Sequence, residues 1–208
     1  TIWKDRVAKH QEYTAKIPFS DFKVFDFICQ NVPKNSQLQV SNSSAIRYLQ
    51  LFDLDKSIQV FCNRGTSGID GSTSTAIGAA LASDLPTMLI TGDISFLYDS
   101  NALWNNYIPK NFKIILLNNS GGGIFRILPG HQETETFNTY FETSHQLNAL
   151  HLAKMYGFDY YTATDEDSLK TSYKSFLNQN NKPCILEIFT PEKSNNRILL
   201  DFFGALKK

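Results

Sequence analysis

A chain of 208 residues can bury a substantial core as one large domain or two small ones, and its 20 Lys plus Arg are balanced by 20 Asp plus Glu. That balance excludes a basic field for nucleic acid, and no apolar stretch reaches the length of a bilayer span. Three scattered cysteines, Cys29, Cys62 and Cys184, lie in apolar runs without metal spacing and read as reduced core thiols, so a cytoplasmic setting is expected. The chain begins at Thr1 without a signal-peptide apolar region, which reads as processing or as a segment of a longer protein.

Residues 1–19 are polar with little periodicity and are expected to form a linker or arm from a preceding domain. Ser20 then opens an amphipathic helix that ends before Pro33. Residues 38–40 read as a short strand, Ser43 starts a helix carrying Arg47, and 57–62 form a second strand. The loop NRGTSGIDG at 63–71 precedes a helix of small residues at 72–83. Two strands at 86–90 and 112–117 follow, then a polar stretch at 131–144 expected to be a mobile loop. Helix 146–156, strand 158–162, helix 165–178 and strand 184–190 continue the alternation, and 192–208 reads as a tail helix. The rhythm predicts an α/β fold: a doubly wound, mainly parallel six-stranded sheet with helices on both faces, over a domain at 20–191.

The two central strands carry the chemistry. The first runs into Thr91-Gly92-Asp93 and the second into Asn118-Asn119-Ser120 and Gly121-Gly122-Gly123, with 25 residues between Asp93 and Asn119. As parallel neighbours they would present both polar ends at the carboxyl edge, where open α/β sheets bind ligands. The Asp93 carboxylate, the Asn119 side-chain carbonyl and the Gly121 backbone carbonyl form an oxygen-only set suited to Mg2+, which completes its octahedron with phosphate oxygens and water. The glycines would let backbone N–H groups approach an anion closely. The pattern calls for a diphosphate.

This spacing resembles the thiamine-diphosphate signature. The segments SNSSAIR (41–47), NRGTSGIDGSTSTAIGAA (63–80), TGDISFLYDSNAL (91–103) and NNSGGGIFRILP (118–129) are similar to the cofactor-binding, carboxyl-terminal domain of the 2-succinyl-5-enolpyruvyl-6-hydroxy-3-cyclohexene-1-carboxylate synthases of menaquinone biosynthesis. Ile94 replaces the glycine that thiamine enzymes at large often carry after the Asp, and this branch shares an aliphatic residue there. The resemblance implies thiamine diphosphate with Mg2+ or Mn2+, decarboxylation of 2-oxoglutarate, and addition of the succinyl-semialdehyde unit to isochorismate. It implies Asp93, Asn119 and Gly121 as metal ligands. Ser43, Gly92, Ser95 and Gly123 would lie at the cofactor, Ile69 would prop it, and Ile124, Phe125 and Leu128 would wall it. Arg47 and Arg64, with Ser43, would hold substrate carboxylates, for which a bidentate guanidinium is suited. The activating glutamate is expected in a pyrimidine-binding domain of the same enzyme, so no catalytic residue is assigned within this chain. A homodimer or homotetramer is implied for the intact enzyme.

Three other readings compete. An acetolactate-synthase-like or 2-oxoacid decarboxylase domain would share the cofactor motif without the paired arginines. A nucleotide-binding Rossmann domain would place Gly-x-Gly-x-x-Gly directly after its first strand, whereas Gly65, Gly68 and Gly71 are spaced by three and Arg126 stands where the last glycine of 121–126 would fall. A detached domain could also act as a binding module without catalysis.

Overall fold

A computed structural model describes residues 2–128 and 130–207. Thr1, Pro129 and Lys208, which belong to the expected arm, the glycine-rich motif and the tail helix, lie outside the described residues. The elements in order are α1 (Ile2–Lys16), α2 (Asp21–Asn31), β1 (Gln37–Val40), α3 (Ser44–Leu49), β2 (Gln59–Cys62), α4 (Ser72–Ala82), β3 (Thr87–Gly92) and α5 (Asp93–Tyr98). A 3-10 turn (Ser100–Trp104) leads into β4 (Lys113–Asn118), followed by a second 3-10 turn (Gly123–Ile127) and a π-helical segment (Phe137–Glu142). The chain closes with α6 (Leu150–Met155), β5 (Asp159–Ala163), α7 (Glu166–Asn178), β6 (Cys184–Phe189) and α8 (Asn195–Lys207).

All six strands pair in parallel, in the order β2-β1-β3-β4-β6-β5. The expected doubly wound sheet is therefore present, and the adjacency of β3 and β4 puts Gly92 opposite Leu117. The inner strands are apolar without alternation because both faces are covered. Met88, Ile90, Ile115, Leu117, Leu186 and Ile188 pack with α2, α3, α7 and α8, while Leu89, Ile114, Leu116 and Ile185 pack with α4, α5 and α6. After β1 the chain leaves toward the α3 face, and after β3 it leaves toward the α5 face. The divergence opens a crevice at the carboxyl edge, the usual ligand position in such sheets.

Local signals set several boundaries. Ser20 accepts a hydrogen bond from the Lys23 N–H as the α2 N-cap, worth about 1 kcal/mol. Asp165 and Ser168 form a capping box at α7. The α4 start lacks a capping side chain of its own, and buried Asp99 supplies one from a distance by accepting from the Ser74 N–H at 2.7 Å.

The stretch expected to be a linker or connecting arm, with little periodicity, forms the 15-residue helix α1. Its few buried positions made it illegible as a helix. His10 lies 5.5 Å from Phe22, 5.0 Å from Phe52 and 5.1 Å from Phe202, ring centroid to ring centroid, and the Tyr13 hydroxyl donates to the Ile198 carbonyl of α8. Aromatic packing against α2 and α8 therefore stabilises the helix more than its own weak apolar stripe. Among the described residues no helix is long and apolar enough to cross a membrane.

Candidate functional site

A cavity of about 260 Å³ opens at the carboxyl edge. Segments after β1 (Asn42 to Ala45), after β3 (Gly92 to Ser95) and after β4 (Asn119 to Phe125, without Ser120) line it, together with Ile69, Phe25 and the π-helical segment. Of the residues expected at the site, Ser43, Ile69, Gly92, Asp93, Ser95, Asn119, Gly121, Gly123, Ile124 and Phe125 meet here. Three do not line this cavity. Arg47 stands in a neighbouring cleft with its guanidinium donating to the Ser43 carbonyl at 2.8 Å, and exposed Arg64 donates to Asn42 Oδ1 at 2.7 Å. Leu128 is half exposed beyond the wall. Both arginines are thus tied to residues of the cavity wall while remaining solvent-accessible.

Asp93 is the first residue of α5 and is buried at 5% exposure. Its Oδ1 accepts from the Ile94 N–H at 2.7 Å, and its Oδ2 accepts from the Gly121 N–H at 3.0 Å. His145 Nε2 lies 3.2 Å from the same Oδ2. Because His145 Nδ1 accepts from the Leu147 N–H, the ring proton of the neutral form belongs on Nε2, facing the carboxylate. The Asp93 carboxylate beside it raises the His145 pKa, against its burial.

Asn119 directs its Nδ2 to Asp21 Oδ2 at 2.9 Å, while its Oδ1 is buried and has no hydrogen-bond partner. A buried acceptor left unpaired costs about 1 to 3 kcal/mol, so this oxygen is suited to a cation. The Gly121 carbonyl accepts one hydrogen bond, from the Gly123 N–H at 3.0 Å, and retains its second lone pair. One carboxylate and two neutral oxygens fit a hard divalent ion that brings phosphate oxygens of its own.

Behind the ligand edge runs a polar scaffold. Asn118 Nδ2 donates to Glu187 Oε1 at 2.6 Å and to the Leu147 carbonyl at 2.9 Å, while Asn118 Oδ1 accepts from the Ser120 N–H. Ser120 is thereby held at φ 65°, a left-handed conformation uncommon for a residue with a Cβ. Glu187 is fully buried on β6 and also accepts from the Ala149 N–H and the Tyr160 hydroxyl. Ser43 is another left-handed residue, at φ 72° and ψ −130°, where β1 turns into α3 beside the cavity. Its strain, at a ligand edge, fits a position that serves binding more than stability.

The segment 131–144, expected to be a mobile loop, is folded over the glycines. The Gly122 N–H donates to the Glu142 carbonyl at 2.6 Å, and a Cβ on Gly121 would lie 2.8 Å from that same oxygen. These glycines therefore admit the backbone of the covering segment, a requirement additional to the anion approach that the sequence suggested. Arg126, 4% exposed, forms a two-pronged ion pair with Glu142, 1% exposed, and reaches Glu133 at 3.3 Å. Its guanidinium also lies 5.6 Å from the Phe137 ring centre. Glu142 is the only glutamate lining the cavity among the described residues, and its carboxylate is committed to Arg126.

Replacing Arg126 with Met is expected to leave Glu142 buried without a counterion. The cost should be about 3 kcal/mol, toward the low end for such pairs because exposed Glu133 admits water near the guanidinium. Denaturant unfolding should show this loss, and limited proteolysis should cut within 131–144 faster than in the wild type. Unchanged stability and cleavage would mean that the pair does not hold the segment down.

Several residues at the site gave no functional signal in the sequence. Asp21 read as an ordinary acidic residue of a helix start after Ser20. Asn42, Tyr48 and Phe141 belonged to a turn, a helix face and a polar loop. The buried pairing of Arg126 with Glu142 joins segments 16 residues apart, a separation no helical or strand period reveals.

Comparison with known proteins places residues 42–188 in the family described as thiamine pyrophosphate enzyme, C-terminal TPP binding domain. Proteins named 2-succinyl-5-enolpyruvyl-6-hydroxy-3-cyclohexene-1-carboxylate synthase are similar over nearly the whole chain. The one from Flavobacterium psychrophilum is 68% identical over 205 residues, covering 99% of this chain and 37% of its own length. That of Flavobacterium johnsoniae is 64% identical over 205 residues with the same coverage, and that of Bacteroides fragilis is 42% identical over 194, covering 92% of this chain and 35% of its own length. The chain thus spans little more than a third of the curated relatives it matches.

Proposed function

The chain belongs to the thiamine pyrophosphate enzymes, of which it carries the C-terminal cofactor-binding domain, and from that membership we propose that it serves a 2-succinyl-5-enolpyruvyl-6-hydroxy-3-cyclohexene-1-carboxylate synthase. The observation that carries the metal half of this reading is the pairing of Asp93 with the partnerless Asn119 oxygen at the ends of adjacent parallel strands. The Asp93 carboxylate, Asn119 Oδ1 and the Gly121 carbonyl would hold Mg2+, or Mn2+ in its place, and the ion would carry the diphosphate. When bound, thiamine diphosphate supplies a carbon nucleophile and an electron sink for decarboxylating a 2-oxoacid.

The chain's own residues bind, orient and exclude water. Ser43, Gly92, Ser95 and Gly123 line the cavity and would face the diphosphate. The Ser95 hydroxyl donates to the Ile69 carbonyl, which locks the loop after β2 onto the start of α5 and fixes the apolar Ile69 in the wall. Ile124 and Phe125 continue that wall, and Phe141 meets Phe125 edge to face at 5.9 Å, so the cofactor's reacting end would meet hydrocarbon. Arg47 and Arg64 at the rim would meet substrate carboxylates, and two such cations favour 2-oxoglutarate, which carries a second carboxylate, over pyruvate, which carries one. Leu128 would join the wall only on rearrangement of its segment.

The reading extends to a partner pyrimidine-binding domain that supplies the activating glutamate, to a homodimer or homotetramer, and to the cytoplasm. Commitment of Glu142 to Arg126 supports the first, and three free thiols support the last.

Decarboxylation assays on the complete protein with Mg2+ and thiamine diphosphate are expected to show turnover of 2-oxoglutarate and none of pyruvate. Preferential turnover of pyruvate would replace this reading with an acetolactate-synthase-like or decarboxylase one.

A further inference from the structure

Asp21 is fully enclosed at the start of α2, yet among the described residues it makes no ion pair with a cation. Its two oxygens are divided between two donors. The Thr190 hydroxyl, just past β6, donates to Oδ1 at 2.5 Å, and Asn119 Nδ2 donates to Oδ2 at 2.9 Å. Asn195 completes the cluster by accepting from the Asp21 N–H at 2.9 Å and donating its own amide to Thr190 Oγ1 and to the Pro191 carbonyl. Burial pushes the Asp21 carboxyl up to about 6, with the nearby Asp93 charge adding to the rise and the Thr190 and Asn119 hydrogen bonds opposing it. Keeping an acid here is expensive unless it does something a neutral residue could not.

What it does is decide which end of the Asn119 amide faces the metal position. The oxygen and nitrogen ends of an asparagine are nearly identical in shape, and without a discriminating partner either could be presented. A carboxylate only accepts, so it draws Nδ2 and leaves Oδ1 unpaired. We infer that Asp21 is a positioning residue that orients the Asn119 amide so that its oxygen, and not its nitrogen, is offered to the cation of the cofactor site. The inference rests on the metal reading of Asp93 and Asn119 given above. It extends the site one layer outward, through Thr190 and Asn195, to the junction of β6 with α8. Partners that orient a metal ligand in this way commonly govern affinity by 10- to 100-fold.

The test is a polarity exchange in the complete protein, read by calorimetric titration of Mg2+ in the presence of thiamine diphosphate. Asp21→Asn should weaken Mg2+ affinity by at least about tenfold, because an asparagine at 21 can pair with either end of the Asn119 amide. The double variant Asp21→Asn with Asn119→Asp reverses donor and acceptor. The new amide at 21 keeps its oxygen for the Thr190 hydroxyl and gives its nitrogen to the carboxylate at 119, whose second oxygen is free for the ion. Affinity should return to within about threefold of wild type. Asn119→Asp alone, which sets two carboxylates against each other, is the control: it should bind Mg2+ more weakly than the double variant, and equal affinity in the two would trace the recovery to added charge at the ion and overturn the inference.

Mg2+ affinity unaffected by Asp21→Asn, or a loss the double variant fails to restore, would overturn the inference. If Asp21→Asn does not fold, the wild-type Asn119 side-chain amide decides the matter by NMR. A single downfield, slowly exchanging pair of Nδ2 protons is expected, and a pair at ordinary solvent-exposed positions would overturn it. Wild-type protein that binds thiamine diphosphate without any Mg2+ dependence would instead remove the metal reading itself, which separates the two failures.

Discussion

In the complete protein, Asp93→Ala should abolish Mg2+-dependent binding of thiamine diphosphate, with a loss of at least about 100-fold, beyond the range for groups that only orient a ligand. The substitution removes the one carboxylate of the proposed oxygen set and leaves two neutral oxygens, too little charge to hold Mg2+ against its hydration. It also strips the acceptor from the Ile94 and Gly121 N–H groups, so the loop after β4 would lose an anchor together with the ion. Asp93→Asn separates these effects, since it preserves volume and removes the charge. Both variants should fail in calorimetric titrations of cofactor with Mg2+. Wild-type affinity in Asp93→Asn would show that the ion is held elsewhere.

The second large effect concerns the 208-residue chain by itself. Its single-turnover decarboxylation of 2-oxoglutarate, with excess thiamine diphosphate and Mg2+, should be slower than that of the complete protein by at least roughly 100-fold, the lower bound for a missing acid or base. The acids around the cavity have other commitments: Glu142 to Arg126, Asp21 to Thr190 and Asn119, and Asp93 to the Ile94 and Gly121 N–H groups. Glu133 is shared between Arg126 and Lys193 on the outer side, and Glu187 lies beneath the edge among Asn118, Ala149 and Tyr160. Comparable rates in the two proteins would mean that one of these groups leaves its partner and performs the activation.

How much of this was legible in the sequence differs by element for physical reasons. Strands β3 and β4 were visible because a parallel strand covered on both faces is a continuous apolar run, and each ended in a distinctive polar motif. The cluster of Asp93, Asn119 and Gly121 followed once those strands were taken as neighbours. Helix α1 was hidden because its order comes from aromatic contacts with residues as far away as Phe202, contacts that leave no period in its own sequence. The covering segment was hidden because what holds it, the Arg126–Glu142 ion pair, the Gly122 N–H bond to the Glu142 carbonyl and the Phe125–Phe141 contact, follows no local period. Asp21 was hidden for a third reason. At a helix start, acids are favoured by the dipole and are common, so its recruitment by Asn119, 98 positions away, carried no local mark.

The strand order has a kinetic consequence. β6 is the last strand in the chain, yet it inserts between β4 and β5. During synthesis β4 must wait with one edge unpaired until residues 184–189 have emerged, and an open apolar edge is a template for wrong pairing. The same late insertion delivers Glu187, which braces Asn118, and Thr190, which braces Asp21. Sheet closure and completion of the ligand edge are thus a single late event, and a nascent chain stalled before residue 190 would have an exposed edge and no finished site.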